Sequence, residues 1–114
     1  MPATAEDEVI LDTSVLVNFL VVRRPDLLRD HPHYRFVVTD HVRAEITEHY
    51  ADQLAQLESA LAARWLREMS VTSPDELKLF AELSAPGRLG AGECSAIAVA
   101  VCQKRPLAID DKAA

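Results

Sequence analysis

Short apolar runs alternate along this chain with longer segments in which apolar residues recur every three or four positions. The short runs, at residues 8–11, 35–38, 69–71 and 107–109, are bounded by capping or turn residues. Runs of this kind predict buried strands, and the longer segments predict helices. Strands that alternate with helices over a whole chain indicate a largely parallel sheet with helical crossovers.

Polar residues and prolines mark the ends of the predicted helices. Asp12-Thr13-Ser14 offers helix-capping side chains ahead of an apolar helix over 15–22, and Pro25 ends that helix because proline disfavours helix in the residue before it. Ser73-Pro74-Asp75-Glu76 combines a cap, a proline at the first helical position and a glutamate three residues after the cap. A further helix is predicted over 93–104.

The longest helical pattern lies at residues 41–68. A helix over 41–49 is followed by segment 50–68, which either extends it or forms a second helix. Apolar side chains in the second segment recur at three- and four-residue steps: Leu54, Leu57, Leu61, Trp65 and Leu66. Such a stripe predicts core packing first, and a contact between two copies of the chain second.

Length and composition narrow the class of protein. A chain of 114 residues, 49% hydrophobic and 26% charged, predicts one soluble globular domain over 1–114. No apolar run approaches the roughly 18–20 residues of a membrane span. The acidic N-terminus lacks the basic region of a signal peptide. We therefore expect a cytoplasmic location and no membrane association.

The cysteines and histidines give no sign of a disulfide or a zinc site. Cys94 and Cys102 share one predicted helix, where eight residues separate Cα atoms by about 12 Å, too far for a disulfide. We expect both to be small, free, buried side chains. The histidines lack metal-ligand spacing, and we expect all of them at the surface: His31, His33, His41 and His49.

Acidic residues stand at the ends of predicted strands or within predicted helices. Asp12 follows the first strand and Asp110-Asp111 follows the fourth, while Glu45 and Glu93 lie in helices. The carboxyl ends of parallel strands meet at one edge of a sheet, where open α/β folds place their sites. Grouped carboxylates repel unless a cation joins them, and hard oxygen ligands suit Mg²⁺ or Mn²⁺. The pattern predicts a metal site for phosphodiester chemistry.

Other observations weigh against this interpretation. The net charge of −6 alone argues against a broad nucleic-acid-binding face, although a bound cation would reverse the field near a cluster of carboxylates. Taken singly, Asp12 could be only a helix cap, Glu93 only a favourable first-turn charge and Glu45 only a solvated helix residue. Asp110-Asp111 could be a solvated terminus. It is the register of all four positions that favours the metal site.

Four short motifs stand in order along the chain: Val9-Ile10-Leu11-Asp12-Thr13-Ser14-Val15-Leu16, Val42-Arg43-Ala44-Glu45-Ile46, Leu89-Gly90-Ala91-Gly92-Glu93 and Leu107-Ala108-Ile109-Asp110-Asp111. Together they resemble the motifs of the PIN domain family, the fold of many metal-dependent ribonucleases, including toxins of bacterial toxin–antitoxin pairs. The resemblance covers nearly the whole chain. It implies a three-layer α/β/α fold with a mostly parallel central sheet of about four strands.

The resemblance also implies roles for the acids. Asp12 and Glu93 would be the principal ligands of Mg²⁺ or Mn²⁺, and Asp111 would complete the shell directly or through water. Asp111 is preferred to Asp110 because it matches the family's acid two places beyond the end of the strand. Glu45 would support a second ion or the attacking water.

Two hydroxyl residues and the chain terminus complete the comparison. Thr13 or Ser14 would hydrogen-bond a carboxylate or a phosphate, although the family often has asparagine at the position of Ser14. PIN domains of this type usually continue past the fourth acid with another helix and a fifth strand, whereas this chain stops at Ala114. We expect either a truncated form or a sheet edge that a partner completes.

The activity implied is that of a metal-dependent endoribonuclease with an RNA substrate. If the chain is a toxin of the kind found in this family, its partner is an antitoxin protein, and we also expect a homodimer. Two other functions remain open. A catalytically inactive PIN-like module would bind RNA or a protein, and a phospho-receiver would accept a phosphoryl group on Asp12 or Asp111. For the phospho-receiver, no well-placed lysine near a later strand end would neutralise the phosphate; only Lys112, beside Asp111, is available.

Overall fold

A computed structural model describes residues 8–24 and 26–109 of the chain. Its strands are β1 (Glu8–Leu11), β2 (Arg35–Thr39), β3 (Leu66–Met69) and β4 (Leu107–Ala108). They form one sheet in the order β3-β2-β1-β4, and every pair is parallel. The helices of the described part are α1 (Thr13–Val21), α2 (Asp26–Arg29), α3 (Asp40–His49), α4 (Ala51–Ala63), α5 (Pro74–Ser84) and α6 (Ala91–Gln103). The predicted parallel sheet is confirmed.

The two central strands of the sheet, β1 and β2, are buried on both faces. Val9, Leu11 and Val38 point into a core that also contains side chains of α1, α2, α3 and α4. Ile10 and Val37, one position along each strand, point into a second core with α6 on the opposite face. Burial of both faces explains why these strands are continuous apolar runs without alternation. With α5 packed on α6, the domain has the three layers that the resemblance implied.

The helix predicted over 50–68 is too long. Tyr50 leaves helical geometry with φ −134, so a second helix begins after it, and that helix, α4, ends at Ala63. Arg64 then takes a left-handed conformation with φ 66, and Leu66 starts β3. The third strand therefore lies earlier than the predicted run at 69–71. A helix that ends at a left-handed arginine cannot be recognised from the sequence, because glycine is the usual residue at such a position.

The predictions of a packed apolar stripe and of a capped start for α5 are confirmed. Leu57 is fully buried, and Leu54, Leu61 and Trp65 pack against the first core, so the stripe serves core packing. Ser73 forms a complete capping box at the start of α5. Both cysteines are free, and Cys94 is buried as expected, whereas Cys102 is only partly buried. Within residues 8–24 and 26–109, no helix combines the length and the apolar character needed to cross a membrane.

Candidate functional site

Asp12 lies where β1 passes into α1. Its backbone N–H donates to the carbonyl oxygen of Ala108 at 3.0 Å, which holds the end of β4 beside the end of β1. The residue is only 6% exposed, and Ser14 Oγ donates to Asp12 Oδ2 at 3.2 Å. Asp12 stands at the N-cap position of α1, yet its side chain makes no capping hydrogen bond to that helix. A helix cap alone therefore does not account for this buried carboxylate.

Glu45 joins two segments that carry other candidate acids. Thr13 Oγ1 donates to Glu45 Oε2 at 2.8 Å, and the backbone N–H of Gly92 donates to Glu45 Oε1 at 2.7 Å. Thr13 directly follows Asp12, and Gly92 directly precedes Glu93. The side chain of Glu45, which projects from α3, thus spans the gap between the start of α1 and the start of α6. Both of its oxygens accept a hydrogen bond within the protein.

The glycines before Glu93 leave room for this carboxylate. A Cβ atom on Gly92 would stand 2.7 Å from both Glu45 Oε2 and Thr13 Oγ1, closer than real Cβ atoms approach such groups. A Cβ atom on Gly90 would stand 3.1 Å from Glu45 Oε1. The Gly90-Ala91-Gly92 sequence therefore permits close approach of a side chain to the backbone, in addition to starting a helix.

Two buried hydroxyls fix α6 to the end of β2. Thr39 Oγ1 accepts from the N–H of Val42 at 3.1 Å, which caps α3, and lies 2.6 Å from Ser95 Oγ. The Ser95 hydroxyl donates its single proton to the carbonyl oxygen of Gly92 at 2.7 Å, so Thr39 must donate to Ser95. Both residues are 0% exposed, and each hydroxyl proton is donated to a hydrogen bond within the protein. This network was not predicted from the sequence.

The remaining candidate acids are placed less completely. Glu93 lies in the first turn of α6 and is partly buried. Asp110 and Asp111 fall outside the described residues, although β4, which precedes them, ends beside Asp12. In the described part of the chain, no three side chains of His, Cys, Asp or Glu are grouped closely enough to hold a metal ion. The proposed ligand set stays a prediction.

The carboxylate chemistry nevertheless suits a hard divalent ion. Asp12, Glu93 and Asp111 would each offer oxygen donors, the ligands that Mg²⁺ and Mn²⁺ prefer. Glu93 would add its charge at the N-terminus of α6, where the helix dipole favours an anion. The donor set thus fits such an ion in chemical type, and its geometry depends on residues beyond 109.

The histidines are only partly where the sequence predicts them. His33 and His49 are exposed, as expected, whereas His31 and His41 are partly buried. His31 packs edge-on against Phe36, and His41 stacks on Phe80 with ring centroids 4.8 Å apart. These two imidazoles are held by aromatic packing, which polar residue type alone does not predict.

Comparison with known proteins agrees with this architecture. The family model described as a PIN domain matches residues 8–114, from the first strand through all four acidic motifs. No curated protein and no solved structure matches the chain. PIN domains are generally nucleases and typically use divalent metal ions. The parallel sheet and its flanking helices are those that this family has. The chain belongs to the PIN domain family.

Proposed function

We propose that this chain is a divalent-metal-dependent endoribonuclease of the PIN type. The observation that carries the proposal is the buried carboxylate of Asp12 at the carboxyl end of β1, the place where parallel α/β domains put their reactive groups. Its neighbour Thr13 is linked through Glu45 to the backbone just before Glu93. Glu45 therefore links the segments that carry Asp12 and Glu93, which supports a shared site at this edge of the sheet.

Asp12, Glu93 and Asp111 would hold Mg²⁺ or Mn²⁺, which would neutralise charge on the phosphate and lower the pKa of a bound water. The chain's own groups would keep these carboxylates in place. Ser14 donates to Asp12, and the Thr39–Ser95 hydroxyl pair fixes the start of α6, which carries Glu93. Pre-set geometry of this kind lowers the entropic part of a reaction barrier.

Glu45 is best understood as a positioning residue. Its two oxygens already accept hydrogen bonds from Thr13 and Gly92. These contacts favour a role in linking the two ligand-bearing segments over a role in binding a second ion directly. Its negative charge lies against the N–H of Gly92 in the first turn of α6, where the helix dipole stabilises an anion. Glu45→Gln would keep the shape and most of the hydrogen bonding, and we expect it to retain activity better than Glu45→Ala.

Metal binding and RNA cleavage test the proposal. Mn²⁺ at a hundredfold excess over its dissociation constant should stabilise the native protein by about 2.7 kcal/mol. We expect this stabilisation in the wild type and in the control Asp52→Asn, an exposed change in α4, and its loss in Asp12→Asn. Metal-dependent cleavage of an RNA should likewise occur with the wild type and with Asp52→Asn, and be lost in Asp12→Asn. Cleavage by Asp12→Asn and Glu93→Gln at the wild-type rate would refute the proposal.

The narrower form of the proposal is a toxin that acts as a homodimer in the cytoplasm and is neutralised by an antitoxin protein. Membership of the PIN family supports it through the known toxins that share the fold. Expression of the wild type in a bacterial host should then stop growth, and expression of Asp12→Asn should not. Equal growth with both proteins would remove the toxin role without touching the nuclease proposal.

A second candidate is a catalytically inactive PIN-like module that binds RNA or a protein. It is favoured by the net charge of −6, which alone argues against a broad nucleic-acid-binding face. This module would bind RNA equally well in the presence of a chelator and after Asp12→Asn. Loss of RNA binding on chelation would exclude it, and binding without any Mn²⁺-dependent stabilisation would favour it over the nuclease.

A further inference from the structure

An arginine-lined cleft lies along β3, and none of Asp12, Glu45 and Glu93 lines it. The cleft has a volume of about 810 Å³. Its walls come from β3, from the C-terminal half of α4, and from single residues of β2 and α3. Its cations are all arginines: Arg35, Arg43, Arg64 and Arg67. This cleft is therefore distinct from the part of the candidate metal site that lies within the described residues.

The cleft follows the open edge of the sheet. In the order β3-β2-β1-β4, the described sheet gives β3 a neighbour on one side only. Leu66, Arg67 and Glu68 all line the cleft, although side chains of successive strand residues point to opposite faces. Three consecutive lining residues mean that the cleft runs past the backbone edge of the strand. Such an edge presents N–H and C=O groups that can pair with a further strand.

Among the described residues, two of the four cleft arginines have a carboxylate partner and two do not. Arg43 pairs with Glu68 at 2.9 Å, and Arg67 binds the buried Glu8 through two nitrogens at 2.8 and 2.7 Å. Arg35 and Arg64 are exposed and form no ion pair within the described part of the chain. In a protein of net charge −6, such a local excess of arginine indicates an anionic ligand.

The other lining residues favour a peptide over a nucleic acid. Leu61, Ala62 and Leu66 provide apolar surface, and Glu58 and Glu68 interrupt the positive charge. No aromatic ring is among the lining residues, so the cleft offers no platform for base stacking. We propose that this cleft binds an extended acidic peptide of a partner protein, which pairs with β3 as an added strand. The proposal goes beyond the nuclease function and does not depend on it.

Arg64 offers a variant that removes charge without harming the fold. Its φ of 66 is a left-handed conformation in which glycine is less strained than arginine, so Arg64→Gly should be as stable as the wild type or more stable. Arg23 is also exposed and left-handed, with φ 59, but lies outside the cleft. Arg23→Gly therefore makes the same chemical and conformational change elsewhere and serves as the matched control.

Fluorescence anisotropy with a labelled peptide of alternating glutamate and valine tests the proposal on the full chain. We expect saturable binding by the wild type and by Arg23→Gly, and binding about threefold to tenfold weaker by Arg64→Gly. Adding Arg35→Gln to Arg64→Gly should weaken it further. The same peptide methylated on alternate backbone nitrogens cannot donate to β3, and we expect it to bind roughly tenfold less tightly.

Three results would overturn the proposal. They are no binding of the acidic peptide to the wild type, equal binding by Arg64→Gly and the wild type, and equal binding of the methylated peptide. A single-stranded oligouridylate that binds with the same dependence on Arg64, while the peptide does not bind, would assign the cleft to RNA instead. None of these measurements uses cleavage, so failure here and failure of the nuclease proposal are separate outcomes.

Discussion

Gly92→Ala tests the contact between Glu45 and the start of α6 directly. At an ordinary helical position, exchange of glycine for alanine stabilises a protein by about 0.4–1 kcal/mol. Here the new Cβ atom would meet Glu45 Oε2 and Thr13 Oγ1 at 2.7 Å and Glu45 Cδ at 2.8 Å. The carboxylate is the flexible partner, so it must withdraw and give up its hydrogen bonds to Thr13 and Gly92.

The magnitude follows from those lost hydrogen bonds. A hydrogen bond to a charged group contributes about 1.5–3 kcal/mol net. Set against the gain in helix propensity, we expect Gly92→Ala to lower the free energy of unfolding by about 1–2 kcal/mol if one such bond is recovered elsewhere, and by more if both are lost. Gly92→Ala should therefore destabilise the protein, whereas the same substitution at a helical glycine with open space beside it would stabilise it.

Urea unfolding of a double-mutant cycle provides the assay. Glu45→Ala removes the carboxylate that the new Cβ atom would meet and leaves only the contact with Thr13 Oγ1, so Gly92→Ala made in that background should cost less stability than in the wild type. The coupling between the two positions isolates the contact from any general effect on α6. If Gly92→Ala stabilises the wild-type protein, or costs the same with and without Glu45, the close approach described above is wrong.

Two further predictions concern stability. Thr39→Val removes the hydroxyl shared by the cap of α3 and by α6, and should lower the free energy of unfolding in urea by about 1–3 kcal/mol, whereas the exposed control Thr47→Val should change it little; equal effects would contradict the buried network. Burial opposes ionisation of Glu76, but hydrogen bonds from Gln103 and from backbone N–H groups outweigh it and hold the pKa of Glu76 below its ordinary 4.5. Its charged form therefore contributes stability above pH 4.5 that is lost as pH falls through the lower folded-state pKa, so Glu76→Gln should be less stable than the wild type at pH 7 and the difference should shrink in acid; a constant difference would contradict this.

The parts of the fold that the sequence predicts are those with local signals. β1 has the predicted bounds because an apolar run meets a capping residue there, and the box at Ser73 lies within four consecutive residues. The start of β3 at Leu66 was missed because Trp65, four residues after Leu61, continues the helical spacing up to the strand, and because arginine takes the left-handed conformation that ends α4. Local patterns cannot distinguish a strand from a continued amphipathic helix at such a point.

In the candidate site, the sequence indicates single acidic residues but not the contacts between distant segments. Asp12 and Glu93 could be singled out because their types and positions suit a metal. The role of Gly92 could not, since its partner Glu45 lies 47 residues away in the sequence. The Thr39–Ser95 pair, 56 residues apart, is hidden for the same reason. Contacts between distant segments depend on the folded arrangement, and single residues of common type give no sign of them.

The pairing of β1 with β4 affects when the site can form during synthesis. β1 lies inside the sheet and is made first, yet the N–H of Asp12 binds the carbonyl oxygen of Ala108, near the far end of the described chain. A ribosome that has released only the first half of the domain exposes Asp12 on a strand whose second neighbour does not yet exist. The edge of the sheet at Asp12 is therefore completed late in synthesis. A nascent or prematurely terminated chain carries Asp12 without β4, the strand that precedes Asp110-Asp111.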